Sequence, residues 1–271
     1  MLPALCRGSM LLGASALASS LLTACLATAE PIRTVRDDTG SAEFSKTPRS
    51  ERTLVIMLPG LGDEPEDYIA NGFVDDMQRH GREVDVVVVD AHLGYYRERE
   101  LLTRLREDVF EPAHAERYPS IWIVGISMGG MGALLSAREF GEQVDGVVLL
   151  SPFLGRRPAL RRISAAGGPG AWEPPAETSS DYTVELWRWL KAYPTEAAKR
   201  APIYLGYGTQ ERNRSHWMLA ELLPSERVVT IEGGHEWDTW RAAWAKLLAM
   251  PTFEDPALPR EDGAVSSAST H

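Results

Sequence analysis

Short apolar runs rich in β-branched residues recur through the middle of this chain, at Thr53–Leu58, Val84–Val89, Ile121–Ile126, Val144–Leu150, Ile203–Tyr207 and Val228–Ile231. Polar and apolar positions do not alternate within them, which is the pattern of strands covered on both faces. Between these runs the apolar period lengthens to three or four residues. This predicts helices over Asp67–Arg79, Glu98–Glu111, Gly129–Phe140, Trp217–Leu223 and Trp237–Leu248. Alternating strands and helices predict an α/β fold, a mostly parallel sheet with helices on both faces and right-handed crossovers.

The alternation fails in three places. Between Leu150 and Ile203 lie about fifty residues, far more than a crossover needs. This stretch contains Gly167-Gly168-Pro169-Gly170, Pro174-Pro175 and a helix-like piece, Thr183–Tyr193. It is expected to form a cap, residues 152–201, inserted over one end of the sheet in a domain spanning residues 52–250. Residues 25–51 are polar and read as a tether, with a weak strand near Ile32-Arg33-Thr34-Val35. Residues 251–271 are rich in Pro, Ser and acid and read as a disordered tail.

Residues 1–24 read as a signal peptide. Arg7 is the only charge before Glu30, and the apolar run Met10–Leu22 is short and rich in Ala and Ser for a membrane span. The run ends Leu22-Thr23-Ala24-Cys25, which resembles a bacterial lipobox. Lipidation of Cys25 would place two ester-linked chains and one amide-linked chain on the mature N-terminus, enough hydrocarbon to hold the protein at a membrane of the cell envelope. Cleavage after Ala27-Thr28-Ala29 is the alternative and would release a soluble exported protein.

Composition narrows the function. With 28 Lys and Arg against 38 Asp and Glu, the 271-residue chain carries a formal charge of −10. That balance argues against nucleic acid as a partner and against docking on anionic lipid through a basic surface. At 44% hydrophobic residues, one domain with a full core is expected. The only cysteines, Cys6 and Cys25, lie in the leader region, so the folded domain has neither disulfide nor thiolate metal site. No cluster has metal-ligand spacing and no glycine fingerprint for phosphate opens an early helix, so no metal or cofactor is expected.

The strongest local signal is Gly125-Ile126-Ser127-Met128-Gly129-Gly130. It directly follows the apolar strand Ile121-Trp122-Ile123-Val124 and precedes the helix-forming run Met131–Phe140. Glycines around a serine between strand and helix are what a nucleophile elbow requires, with the hydroxyl raised above the sheet edge and a helix N-terminus behind it.

With this motif and three others the chain resembles the α/β-hydrolase superfamily, in the style of compact carboxylesterases and S-formylglutathione-hydrolase-like esterases. The resemblance covers roughly residues 52–248 outside the cap. Leu58-Pro59-Gly60-Leu61-Gly62-Asp63 stands where family members carry His-Gly, with Pro59 in place of the histidine. It implies an oxyanion hole formed by the N–H groups of Leu61 and Met128. Gly206-Tyr207-Gly208-Thr209-Gln210-Glu211 places Glu211 where the family has aspartate, and Gly233-Gly234-His235-Glu236-Trp237 resembles the loop that delivers the histidine. The implied triad is Ser127, His235 and Glu211, in the superfamily's chain order. The implied activity is hydrolysis of a small-molecule ester or thioester through an acyl-enzyme. Acyl transfer or peptide cleavage on the same triad stays open, as does a non-catalytic envelope lipoprotein that keeps the fold.

Other residues read more plainly. His80, His92, His114 and His216 lack a glycine-delivered loop and are expected in surface or structural roles, although His92 follows a strand end and could line a pocket. Arg156, Arg157, Arg161 and Arg162 suit a solvated helix face or an anionic substrate. Trp172, Trp187 and Trp189 suit the packing of the cap or the wall of an acyl pocket.

Overall fold

A computed structural model describes residues 28, 30–37, 47–79, 84–212 and 215–250. Cys25 and the rest of the expected leader lie outside the described residues, as does the expected tail at 251–271.

The described residues form a seven-stranded sheet: β1 (Thr34–Asp37), β2 (Thr53–Leu58), β3 (Val84–Val89), β4 (Ser120–Ile126), β5 (Gly146–Leu150), β6 (Ile203–Gly208) and β7 (Val228–Ile231). Their order is β1-β3-β2-β4-β5-β6-β7. All neighbours are parallel except β1, which runs antiparallel along the outer edge of β3 with Thr34 opposite Val89. This strand lies inside the stretch read from sequence as a tether.

Side-chain alternation explains why the apolar runs are continuous. Leu54, Ile56 and Leu58 of β2 enter one core layer, while Val55 and Met57 enter the other. Helices α1 (Pro65–Ala70) and α2 (Phe73–Arg79) cover the second layer. Gly72, at φ 75°, takes the chain out of the helical path between α1 and α2, so the single helix expected over Asp67–Arg79 is two.

The first layer is covered by α3 (Leu93–Glu98), by α4 (Leu101–Leu105), which continues through a π-helical turn (Arg106–Phe110) into α5 (Glu111–Ala115), and by α6 (Met128–Phe140). The π turn lies just before Pro112. Proline has no N–H for the carbonyl of Asp108 and its ring crowds that oxygen, so the helix widens there.

Between β5 and β6 run α7 (Arg157–Ala165) and α8 (Tyr182–Glu196). They pack into the first layer: Leu154, Ile163, Leu186 and Trp187 are completely buried, and the Trp187 indole N–H donates to the carbonyl of Leu154. Thus Trp187 is core, not pocket wall. After β6 comes the short α9 (Ser215–Ala220), and after β7 comes α10 (Trp237–Leu248), whose Trp240, Trp244 and Leu247 close the second layer. Among the described residues no helix is long and apolar enough to cross a membrane.

The carboxyl ends of β2, β4, β6 and β7 share one edge of the sheet. The chain order reverses between β2 and β4, the place where open parallel sheets present a crevice.

Candidate active site

Ser127 sits between β4 and α6 with φ 49° and ψ −111°. A non-glycine residue held at positive φ costs about 1–3 kcal/mol, so the surroundings must over-determine it. They do so through the backbone. Ser127 N–H donates to Leu150 O at 2.9 Å, and its carbonyl accepts from Phe153 N–H at 2.7 Å and Gly130 N–H at 3.1 Å. Gly129 is required by close approach, since a Cβ there would lie 1.9 Å from the carbonyl oxygen of Leu58. The first turn of α6 is thereby pressed against the end of β2.

The same contact brings the loop after β2 to the serine. A Cβ on Gly60 would lie 3.4 Å from Ser127 Cβ and 2.5 Å from Asp63 Oδ2. Leu61 follows, 59% exposed, while Met128 opens α6, where N–H groups have no intrahelical acceptor. Met128 thus adjoins Ser127 in the chain, and Leu61 follows the glycine whose Cβ position lies beside Ser127. Burial and the nearby charge of Asp67 hold the Asp63 carboxyl above its ordinary value, against a hydrogen bond from Gly60 and the field of His235.

The acid and histidine come from the ends of β6 and β7. A Cβ on Gly208 would lie 2.4 Å from the carbonyl oxygen of Gly233, so the two loops touch. Gln210 N–H donates to Gly233 O at 2.9 Å and ties them. His235 Nε2 then lies 3.0 Å from Ser127 Oγ, and its Nδ1 lies 2.9 Å from Glu211 Oε2. The imidazole is 44% exposed and the Glu211 side chain only 2%. A buried carboxylate, a half-exposed imidazole and a hydroxyl at a cleft form a continuous relay.

Glu211 has more partners than the relay needs. Oε1 accepts from Gly208 N–H at 2.9 Å and from the hydroxyl of Ser151. Ser151 Oγ in turn accepts from the indole N–H of Trp240 at 3.0 Å. Oε2 is shared with His216, whose Nε2 lies 2.9 Å away. Burial would push the Glu211 carboxyl up, but hydrogen bonds from His216, His235 and Ser151 and the field of His216 hold it far below the usual carboxylate range. It is therefore ionised at any ordinary pH.

Of the surface and structural roles open to it from sequence, His216 takes a buried one against the acid, on a short helix whose burial depends on tertiary packing and leaves no mark in local sequence. His92 caps α3, accepting from Gly94 N–H at 3.1 Å, and His114 meets Gln143. Glu236, next to His235 in sequence, accepts from Gly234 N–H, Glu232 meets Gln210, and Asp181 between α7 and α8 caps α8 through Thr183 N–H.

A cleft of about 430 Å³ opens over the relay, lined by Ser127, Ser151, Phe153, Gln210, Glu211, Arg212, Gly234 and His235. Phe153 is its apolar wall and Arg212 its cation; sequence patterning flagged neither. Arg156, Arg157, Arg161 and Arg162 are exposed and lie outside it, Arg156 stacking over Tyr182. Among the described residues no three His, Cys, Asp or Glu side chains converge as metal ligands.

Residues 69–250 match the Esterase family. No curated protein sequence matches the chain. Among solved structures, S-formylglutathione hydrolase from Staphylococcus aureus superposes with a TM-score of 0.52 at 14% identity, covering 79% of this chain and 88% of that one. Est1E from Butyrivibrio proteoclasticus gives 0.55 at 16% identity, covering 82% and 93%. A fluorophosphonate-binding serine hydrolase from S. aureus gives 0.51 at 13%, covering 80% and 97%. At these identities the likeness is one of fold.

Proposed function

The chain belongs to the Esterase family of hydrolases, and from that premise we propose that it cleaves small carboxylic esters or thioesters through an acyl-enzyme on a Ser127–His235–Glu211 triad. The observation that carries this reading is the unbroken relay from Ser127 Oγ to His235 Nε2 and from His235 Nδ1 to Glu211 Oε2, at 3.0 and 2.9 Å, above a serine held at positive φ.

In this mechanism His235 Nε2 takes the Ser127 proton as Oγ attacks the substrate carbonyl. The carbonyl oxygen becomes an oxyanion, received by the N–H groups of Met128 and Leu61. Collapse of the tetrahedral intermediate expels the alcohol or thiol, which leaves with the proton held on His235. A water molecule then gives a proton to His235 and attacks the acyl carbon, releasing the carboxylic acid and restoring Ser127. Glu211 stays ionised throughout, fixes the Nδ1–H tautomer and stabilises the imidazolium. The cleft beside Phe153 suits acyl groups of small to medium length.

The test is labelling by a fluorophosphonate probe together with turnover of p-nitrophenyl esters of graded length. Wild type should label at Ser127, and Ser127→Ala should fold normally, fail to label and lose about 10³-fold or more in kcat. A Ser127→Ala protein with near-normal turnover would refute the assignment. Export and anchoring through lipidated Cys25 are part of the same proposal. Cys25→Ser should abolish incorporation of a fatty-acid analogue and release the protein from membranes, and a wild type that takes up no label in a bacterial host overturns the anchor.

A further inference from the structure

The relay uses one histidine, yet two meet Glu211. Both His235 Nδ1 and His216 Nε2 lie 2.9 Å from the same oxygen, Oε2, but only His235 reaches Ser127. His216 is 1% exposed and cannot touch substrate. An ionised carboxylate only accepts, so His216 must carry its proton on Nε2. Its Nδ1 is buried without a hydrogen-bond partner among the described residues. The side-chain hydrogen bond this ring makes therefore goes to the acid. The ring of Tyr207, centred 5.5 Å away, packs against it.

Glutamate explains the arrangement. Its stem has one more rotatable bond than that of aspartate, and each free torsion must be fixed at an entropic cost before the carboxylate can orient an imidazole. Ser151 and Gly208 fix Oε1. These two bonds leave the carboxylate free to turn about Oε1, and the turn would swing Oε2 away from His235. His216, itself buried, donates to the same Oε2 as the half-exposed His235. Asp63, a further carboxylate whose charge couples to His235, lies beside Gly60 on the loop after β2.

We propose that His216 is a positioning residue of this triad, holding Oε2 of Glu211 in line with His235 Nδ1 as the second histidine of a four-donor cage. The proposal rests on the triad reading of the preceding subsection. Its effect falls on the chemical step, because a displaced carboxylate costs most when His235 becomes an imidazolium, while the cleft walls that bind substrate stay in place.

The test compares two substitutions of nearly equal shape. His216→Gln keeps an N–H donor near the position of Nε2, and His216→Met removes it. Both are assayed on the full chain by ester turnover, fluorophosphonate labelling rate and thermal melting. His216→Met should lower kcat and the labelling rate by about tenfold or more with KM changed by less than about twofold. His216→Gln should recover kcat to within about threefold of wild type at a similar melting temperature. His216→Phe replaces the Met variant if that chain does not fold. A folded donor-free variant with full kcat overturns the proposal. So does a Gln variant as impaired as the donor-free one, because the loss would then follow packing. Wild type that fails to label at Ser127 overturns the triad reading and this proposal together, whereas normal labelling with an unaffected donor-free variant overturns this proposal alone.

Discussion

Two buried carboxylates stand at opposite ends of the sheet and are put to different uses. At the amino end, Asp85 in β3 meets Arg52 Nη1 at 2.7 Å and the Tyr118 hydroxyl at 2.5 Å, with Arg49 Nε at 3.8 Å. At the carboxyl end, roughly 20 Å along the strands, Glu211 meets two imidazoles, a hydroxyl and a backbone N–H. Both are buried and both are saturated with donors. The cationic partners of Asp85 are guanidinium groups that keep their charge, the nearer of them, Arg52, itself buried at 3% exposure. One partner of Glu211 is a half-exposed imidazole whose far nitrogen faces a hydroxyl in a cleft. Burial and hydrogen bonding are common to both; what distinguishes the working site is a partner that can change charge and has a free edge.

That contrast breaks first at Glu211. Glu211→Gln should keep the fold and lower kcat by roughly 10² to 10⁴-fold, because the imidazolium loses its counter-charge. Asp181→Asn is the control. The structure gives Asp181 the helix-capping bond to Thr183 N–H, a role asparagine fills equally well, so turnover should be unchanged. If the control were crippling and Glu211→Gln mild, the acid would have to come from the α7–α8 region.

Asp85→Asn should do the reverse. It breaks the ion pair between Asp85 and the buried Arg52 guanidinium, a loss of about 3–5 kcal/mol for a broken buried pair. The melting temperature should fall sharply, while kcat per folded molecule stays within about twofold, since the two clusters share no partner. Thermal melts paired with active-site titration separate the outcomes.

How much of this was legible in sequence depends on whether the signal was local. The Ser127 turn was readable because strand, glycines and helix are contiguous, and glycine is demanded by contacts such as Gly129 on Leu58. Glu211 and His235 were placed only through motifs that resemble a family, since nothing local says that the ends of β6 and β7 touch. The parallel sheet followed from unbroken apolar runs, but the helix boundaries did not, because Gly72 and Pro112 act on backbone conformation and hydrogen bonding and not on hydrophobic period. His216 and Phe153 were out of reach: their roles exist only once α9 and the segment after β5 have folded over the site.

The comparison sharpens with pH. The folded-state value of Glu211 lies well below the ordinary glutamate value of about 4.3. Its hydrogen bonds therefore add stability that is fully present above the unfolded-state value and is lost as pH falls through the folded-state one. Glu211→Gln lacks this term. The gap in melting temperature between wild type and Glu211→Gln should be widest near neutrality and should close as pH falls below about 4. A gap that stayed constant with pH would mean that Glu211 gains nothing from being ionised in the folded chain.

The smallest expected effect is at the outer end of the chain of donors behind Glu211. Trp240 gives its indole N–H to Ser151 Oγ, and Ser151 gives its hydroxyl to Glu211 Oε1. The same indole also stands edge-on to His235, with ring centres 4.9 Å apart and planes at 86°. Trp240→Phe keeps an aromatic ring and removes the N–H. Ser151 then loses the donor that polarises its own hydroxyl toward the carboxylate, and kcat should fall by about two- to fivefold. The two roles of Trp240 are separable in a double-mutant cycle. In a Ser151→Ala background the donor chain no longer exists, so an effect carried by the chain should vanish when Trp240→Phe is added. An effect that persists undiminished on that background would assign Trp240 to packing on His235, and the wiring behind Glu211 would then end at Ser151.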